Sequence, residues 1–278
     1  MSESLDAYGR AERDRNAEPI ERALGGLAVT APAGLATAVL AEVGLVDRYA
    51  FLDSVIGPLA VAWNRLGVSS VDAVIEPHAF EERHRATTGR RAERAERLPA
   101  GLAAAISRRL AGDRRVAIEL DLRGRSDFER DVWRKTLEIP RGEVRPYGWV
   151  AAEIGRPRAV RAVGTALGHN PVPLIVPCHR VVRTDGTLGQ YSLGGPNNKR
   201  AVLRSEGLDP EGLEAAASAG VRYLGSDTTR VACLPTCRHA RRIADSHRVP
   251  FRRLNQALAA GYRACRVCRP DSGAAIAA

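Results

Sequence analysis

The sequence predicts an α/β protein, more narrowly α+β. It would comprise a small strand-meander domain, a helical helix-turn-helix domain and a small α+β module built on cysteines. Three observations carry this. Helical apolar spacing gives way at Arg48 to short strand-like runs broken by Gly57-Pro58. From Ser126 onward, helices open and close on recognisable caps. Four of the five cysteines, Cys233, Cys237, Cys265 and Cys268, crowd into the last fifth of the 278 residues. The expected organisation is a helical extension over 1–47, a strand-containing domain over 48–122, the helix-turn-helix domain over 123–207, a linker over 208–221 and the cysteine module over 222–270.

In chain order, Ala33 to Val46 has helical apolar spacing and carries no chemistry. Tyr49–Val55 and Pro58–Asn64 read as strands, and Leu66–Glu76 continues them as an antiparallel meander. Pro77–Arg85 and Pro99–Leu110 read as helices, the second opened by Pro99 and stopped by Gly112. The charged run between them reads as a connector or frayed helix, and Val116–Leu122 as another strand. Ser126 and Glu129 form a capping-box pattern for a helix that Pro140 ends. Gly148–Gly155 and Pro157–Gly168 are two short helices joined by a tight turn, a helix-turn-helix pattern. The second carries Arg158 and Arg161 on a body of small residues, which suits either groove insertion or close helix packing. Asp185-Gly186 is a hairpin signal. A helix starts near Asn197 or Asn198 and ends at Gly207. Leu208–Gly220 reads as an acidic Ala/Gly-rich linker.

Charge and cysteine usage bound the function. From Arg222 to Pro270 there are eleven Arg, no Lys and two acids, whereas the first 47 residues hold four Arg and eight acids. An arginine-rich terminal segment suggests a polyanionic partner, against the bland reading of a solvated surface. No stretch approaches the ~20 apolar residues of a membrane span, and the polar N-terminus lacks a signal-peptide core. A cytoplasmic location, without membrane contact, is expected. Thiols stay reduced there, so an odd cysteine count argues for metal plus a free thiol rather than disulfides.

The free thiol is Cys178, within NPVPLIVPCHRVV (Asn170 to Val182). Pro171, Pro173 and Pro177 each fix φ and remove a backbone donor, so the segment is neither helix interior nor central strand. It reads as a rigid, extended, buried wall that places Cys178 before His179 and Arg180. Positive charge beside a thiol favours thiolate and makes a candidate nucleophile. The alternative is a small buried hydrophobe. The pairs Cys233-x₃-Cys237 and Cys265-x₂-Cys268 suit one tetrahedral zinc with four thiolate ligands. His239 and His247 are spare alternates that a complete four-cysteine set does not need.

The motif PCHRV, with YGWVAAEIGRPRAVRAVGTALGHN before it and GQYS and SEG after it, resembles the O6-alkylguanine-DNA alkyltransferases (methylated-DNA–protein-cysteine methyltransferases). The resemblance runs from about Tyr49 to Gly207 and is strong from Asp127 onward. It implies a DNA-repair activity on double-stranded DNA carrying alkylated bases. An extruded O6-alkylguanine, and O4-alkylthymine likewise, would lose its alkyl group irreversibly to Cys178 in a single-turnover reaction. The resemblance assigns His179 as general base through a water, Glu206 as its orienting carboxylate and Asn170 as buttress. It assigns Tyr147 to the target phosphate and to proton donation, Arg161 to the gap in the base stack, and Ser192 to the lid loop. The loop after Ser192, LGGP, is one residue longer than the family pattern, which bears on pocket size. The helix-turn-helix, with Arg158, would meet the minor groove, and a monomer is expected.

Tyr223 to Pro270 resembles the zinc domain of the bacterial adaptive-response (Ada) protein. That resemblance leaves two roles for Cys233, acceptor of methyl from DNA methylphosphotriesters or structural ligand. The module follows the alkyltransferase unit instead of leading the chain. Two rivals from other classes are a non-catalytic binder of alkyl damage, which the presence of Cys178 opposes, and a zinc-containing DNA-binding regulator. Because four-cysteine modules take their folding energy from metal, chelation is expected to unfold the tail and leave the Cys178 reaction mostly intact.

Overall fold

In the computed structural model, Pro32, residues 35–74 and residues 76–272 are described. Most of the extension expected over 1–47 lies outside them. Its described part is helix α1 (Leu35–Glu42), which ends before the expected Val46 because the chain turns at Gly44, φ 72°, and enters a strand.

The meander forms. Strands β1 (Val46–Leu52), β2 (Leu59–Asn64) and β3 (Gly67–Asp72) are antiparallel, with Tyr49 opposite Ala62 and Ala62 opposite Ser70. Helix α2 (Pro77–Thr88) starts where the Glu76 carboxylate accepts from the His78 and Ala79 amides. It buries Phe80 against Tyr49, ring centroids 4.7 Å apart. The charged run expected as a connector is strand β4 (Arg91–Arg94), parallel to β1 at the sheet edge, where only Ala92 is buried. An edge strand pairs on one side only, so charged residues suit it.

The strand expected over Val116–Leu122 is reduced to one bridge, Leu120 with Val68. Side chains tie this stretch down instead of a ladder. Arg90 joins Asp47 to Asp121 at 3.0 and 2.9 Å, and Asn64 donates to both carboxylates. Burial would raise the Asp121 carboxyl, but Arg123, Asn64 and Arg90 hold it down at about 2.

Helix α3 (Ala100–Leu110) leads to α4 (Asp127–Leu137), which opens on the complete Ser126–Glu129 capping box. Trp133 of α4 is buried and donates its indole N–H to the Ala166 carbonyl at 2.9 Å. This joins α4 to the helix-turn-helix, α5 (Tyr147–Glu153) and α6 (Val160–Gly168). Two short strands, β5 (Arg145–Pro146) and β6 (Val181–Val182), pair in parallel. Helix α7 (Gly195–Ser205) follows. Part of the expected linker is helix α8 (Pro210–Ser218), capped by the Asp209 side chain on the Gly212 amide.

The C-terminal sheet has the order β10 (Arg263–Ala264), β8 (Val231–Cys233), β7 (Tyr223–Ser226), β9 (Arg248–Phe251), with α9 (Leu254–Ala259) beside it. The result is a mixed α+β protein with an apolar cluster around Trp133, Trp149 and Cys178 and a second around the four cysteines. Among the described residues, no helix is long and apolar enough to cross a membrane.

Candidate functional site

The segment Asn170–Val182 is buried throughout, as its composition predicts. It is folded into turns instead of extended. The Asn170 side chain is the reason: its amide donates to the Val176 carbonyl at 3.0 Å and its oxygen accepts the Val172 amide at 3.1 Å. Leu174 is held at φ 72°, a conformation costly for a residue with a Cβ and common where a site must be fixed. The chain then makes a single 3₁₀ turn, Cys178–Arg180, and leaves along β6.

Four expected residues meet at this turn. Asn170 Nδ2 lies 3.3 Å from Cys178 Sγ. His179 Nε2 lies 2.9 Å from Glu206 Oε1, with both side chains buried. An ionised carboxylate only accepts, so the proton sits on Nε2 and leaves Nδ1 as the basic nitrogen. Nδ1 is buried and has no hydrogen-bond partner among the described residues. Glu206 also accepts from Arg180 Nε and Nη2, and from the Gly142 amide at 3.1 Å.

Burial sets the resting protonation of the thiol and the imidazole. Burial pushes the Cys178 thiol up, and Asn170, Lys199 and Ser192 offset this only in part. Burial pulls the His179 imidazole down against the opposing pull of Glu206. Both groups therefore rest neutral. Burial would raise the Glu206 carboxyl as well, but His179 and Arg180 bring it down to about 2, so it stays ionised.

Ser192 is exposed beside the thiol, on the loop before α7. Tyr147 opens α5 half-buried against the same core; burial, and then Cys178, raise its phenol. Arg158 and Arg161 are exposed beside and on α6. The small residues of α6 divide between the two uses their sizes allow. Ala166 is buried, Ala162 faces solvent, and Gly164 lies where a Cβ would stand 4.0 Å from the Tyr147 ring.

Two residues escaped sequence reasoning. In the sequence Arg180 is only a positive neighbour of the thiol, whereas in the fold it is a main partner of Glu206. Lys199 is fully buried and donates to the Val181 and Leu188 carbonyls at 2.7 and 2.6 Å. Burial brings its ammonium down to about 8. Its signal was available: Lys199 stands two helical turns before Glu206, on the same face.

The ligand atoms of Cys233, Cys237, Cys265 and Cys268 all lie within 4.8 Å of one another, and all four residues are buried. A Cys₄ cluster is the donor set of a structural zinc. The thiols interfere with one another's ionisation: hydrogen bonds with Cys237 and Cys268 push Cys233 up, while those with Cys233 and Cys268 take Cys237 down. A divalent cation removes that conflict by stabilising four thiolates together. His239 and His247 are outside this set, and His247 instead meets Asp227 at 2.9 Å. A cleft of about 610 Å³ opens at the cluster, bordered by Cys233, Cys265, Arg242, Arg263 and Arg266.

Fold and site together define a helix-turn-helix protein with a buried thiol backed by a histidine–carboxylate pair, joined to a four-cysteine metal module. The family profile of the 6-O-methylguanine DNA methyltransferase DNA-binding domain matches residues 127–208. The profile of the metal-binding domain of Ada matches residues 214–271. A Mycobacterium leprae methylated-DNA–protein-cysteine methyltransferase is 39% identical over 158 residues, 56% of this chain and 89% of that protein. A Mycobacterium tuberculosis protein of the same name is 56% identical over 89 residues, 32% of this chain and 53% of that protein. The crystal structure of Mycobacterium tuberculosis OGT in complex with DNA is 37% identical, with a TM-score of 0.47, covering 58% of this chain and 93% of that one. The chain thus spans about half the length of the Mycobacterium tuberculosis relative. It belongs to the methylated-DNA–protein-cysteine methyltransferase family.

Proposed function

We propose that the chain repairs alkylated DNA by moving an alkyl group from O6 of guanine, and from O4 of thymine, onto Cys178. The single observation that carries this is the Cys178–His179–Glu206 arrangement on the matched domain, with one imidazole nitrogen fixed on Glu206 and the other unpartnered. The base leaves the duplex stack so that the alkyl carbon can be approached in line. The Cys178 proton passes to His179 Nδ1 through a water, and Glu206 stabilises the imidazolium. The thiolate forms the S–C bond as the C–O6 bond breaks, and the electron pair departs on guanine O6. Tyr147 supplies the proton that the departing base takes up. Sulfur keeps the alkyl group as a thioether, so each chain acts once. Asn170 holds the turn, Ser192 closes the lid loop, Arg161 fills the vacated stack, and Arg158 contacts the backbone.

The metal module binds DNA in this reading, and Cys233 accepts methyl from backbone methylphosphotriesters. Its place on the arginine-lined cleft supports that role. Zinc supplies the charge that keeps Cys233 a thiolate at neutral pH. The chain works as a monomer, in the cytoplasm.

Mass spectrometry after incubation with O6-methylguanine duplex tests the first activity. One added methyl on the Cys178 peptide is expected, and none with Cys178→Ser. An unchanged parental mass refutes it. With methylphosphotriester DNA, the methyl should appear at Cys233 and be absent from Cys233→Ala.

A further inference from the structure

The five residues Gly142–Pro146 are gripped from both modules. On the thiol side, the Gly142 amide donates to Glu206 Oε2 at 3.1 Å. Gly142 has φ 72°, and a Cβ there would stand 2.9 Å from the Glu206 carbonyl, so nothing larger fits. Arg145 and Pro146 pair with Val181 and Val182, the strand that leaves the Cys178 turn.

On the metal side, the Val144 amide donates to Thr236 Oγ1 at 2.9 Å, and that hydroxyl donates back to the Val144 carbonyl at 3.3 Å. The buried Glu143 carboxylate accepts the Arg238 amide at 3.2 Å and the Arg145 guanidinium. Thr236 and Arg238 are the two neighbours of the metal ligand Cys237. A second tether lies in α5, where the Trp149 indole donates to the carbonyl of the ligand Cys268 at 3.0 Å. Arg269 lies over that indole and pairs with Glu153 at 2.6 Å.

A four-thiolate module has little structure without its metal. Thr236 and Arg238 are then no longer presented to the strip: the buried Val144 amide loses its partner, and the buried Glu143 carboxylate keeps only Arg145. The strip relaxes toward water. Gly142 is part of that strip and is a ligand of Glu206, which in turn fixes His179.

We propose that Thr236 and Arg238 are positioning residues for the Cys178 reaction. The metal-organised loop that carries them holds Gly142–Pro146 in register, and through that strip it holds Glu206 and the cysteine turn. The two modules are mechanically one site, contrary to the independence that chain order suggests. This rests on reading Cys178 as the alkyl acceptor.

The test uses the full chain in four forms: metal-loaded, chelator-stripped, and metal-loaded Thr236→Val and Thr236→Ser. Three quantities are read: metal content, hydrogen exchange of the Gly142 amide by NMR, and the single-turnover rate of methyl transfer from O6-methylguanine duplex. Thr236→Val should keep its metal, speed Gly142 exchange and slow transfer, each by roughly 3- to 10-fold, the worth of one hydrogen bond. Thr236→Ser retains the hydroxyl and should restore both. Stripping should exceed the valine effect at the same amide. Parental Gly142 exchange and transfer rate in both stripped and valine forms overturn the proposal, because Gly142's own partner lies outside the metal module. If loaded parent transfers no methyl while Gly142 exchange still follows the metal, the acceptor reading falls and the coupling stands.

Discussion

Replacing Glu206 by Gln removes one charge from the point where His179, Arg180 and Gly142 converge. The carboxyl stands at about 2 against an ordinary 4.5, although burial opposes this. That difference corresponds to about 3 kcal/mol favouring the folded carboxylate. The folded value is the lower one, so the stabilisation is complete above pH 4.5. It is lost as pH falls through the interval toward 2. Glu206→Gln forfeits it at neutral pH, and it also turns an amide donor toward the donors of Arg180 and Gly142. For a folded unit of this size, about 3 kcal/mol lowers Tm by roughly 6–12 °C. The catalytic effect is separate. Without the carboxylate, His179 is neither oriented nor stabilised as the imidazolium, and single-turnover transfer should slow by about 10² or more. Scanning calorimetry between pH 2 and 7 reads the first effect, with the variant's Tm showing a shallower acid-side slope than the parent's. Quenched-flow transfer of labelled methyl reads the second. A Glu206→Gln protein with parental Tm and parental rate refutes the assignment of Glu206 as the group that organises His179.

Three further outcomes are expected. Lys199 falls from 10.5 to about 8 on folding through burial; the unfolded chain then binds more protons between those values, so stability should rise across pH 8–10.5, and Lys199→Met should abolish that rise in a Tm–pH series. Ser126→Ala breaks a complete capping box, and it should cost about 1 kcal/mol by chemical denaturation. Arg158→Ala removes an exposed cation beside α6, and it should lower the slope of log K against log salt for undamaged duplex by about 1 in a fluorescence-anisotropy titration.

Local chemistry was legible in the sequence and contacts between distant loops were not. The capping box at Ser126 and the hairpin turn at Gly186 are statements about neighbours in the chain, and both form. The cysteine pairs are nearly local too, because spacings of three and four suffice to present two thiols to one ion. Asp209-Pro210 was an equally good signal, a capping side chain followed by a residue suited to the first turn. The Ala/Gly content around it obscured a helix that forms. Val116–Leu122 failed for a different reason. Its alternation matches a strand, but a strand needs a partner with free ladder groups, and β3 offers it only the bridge at Leu120.

Thr236 and Glu143 mark the outer limit of such reading. Each is a polar loop residue that in an isolated module would face water, and no periodicity links positions that lie 92 or 95 residues from their partners. Burying both is tolerable only because each satisfies a group on the other side. That reciprocity makes the junction specific: an apolar seam would tolerate sliding, whereas a buried carboxylate over one backbone amide and a hydroxyl bridging both polar groups of Val144 fix a single register. The same rigidity carries a displacement of the Cys237 loop to Gly142, and Gly142 is one hydrogen bond from the carboxylate that sets the imidazole.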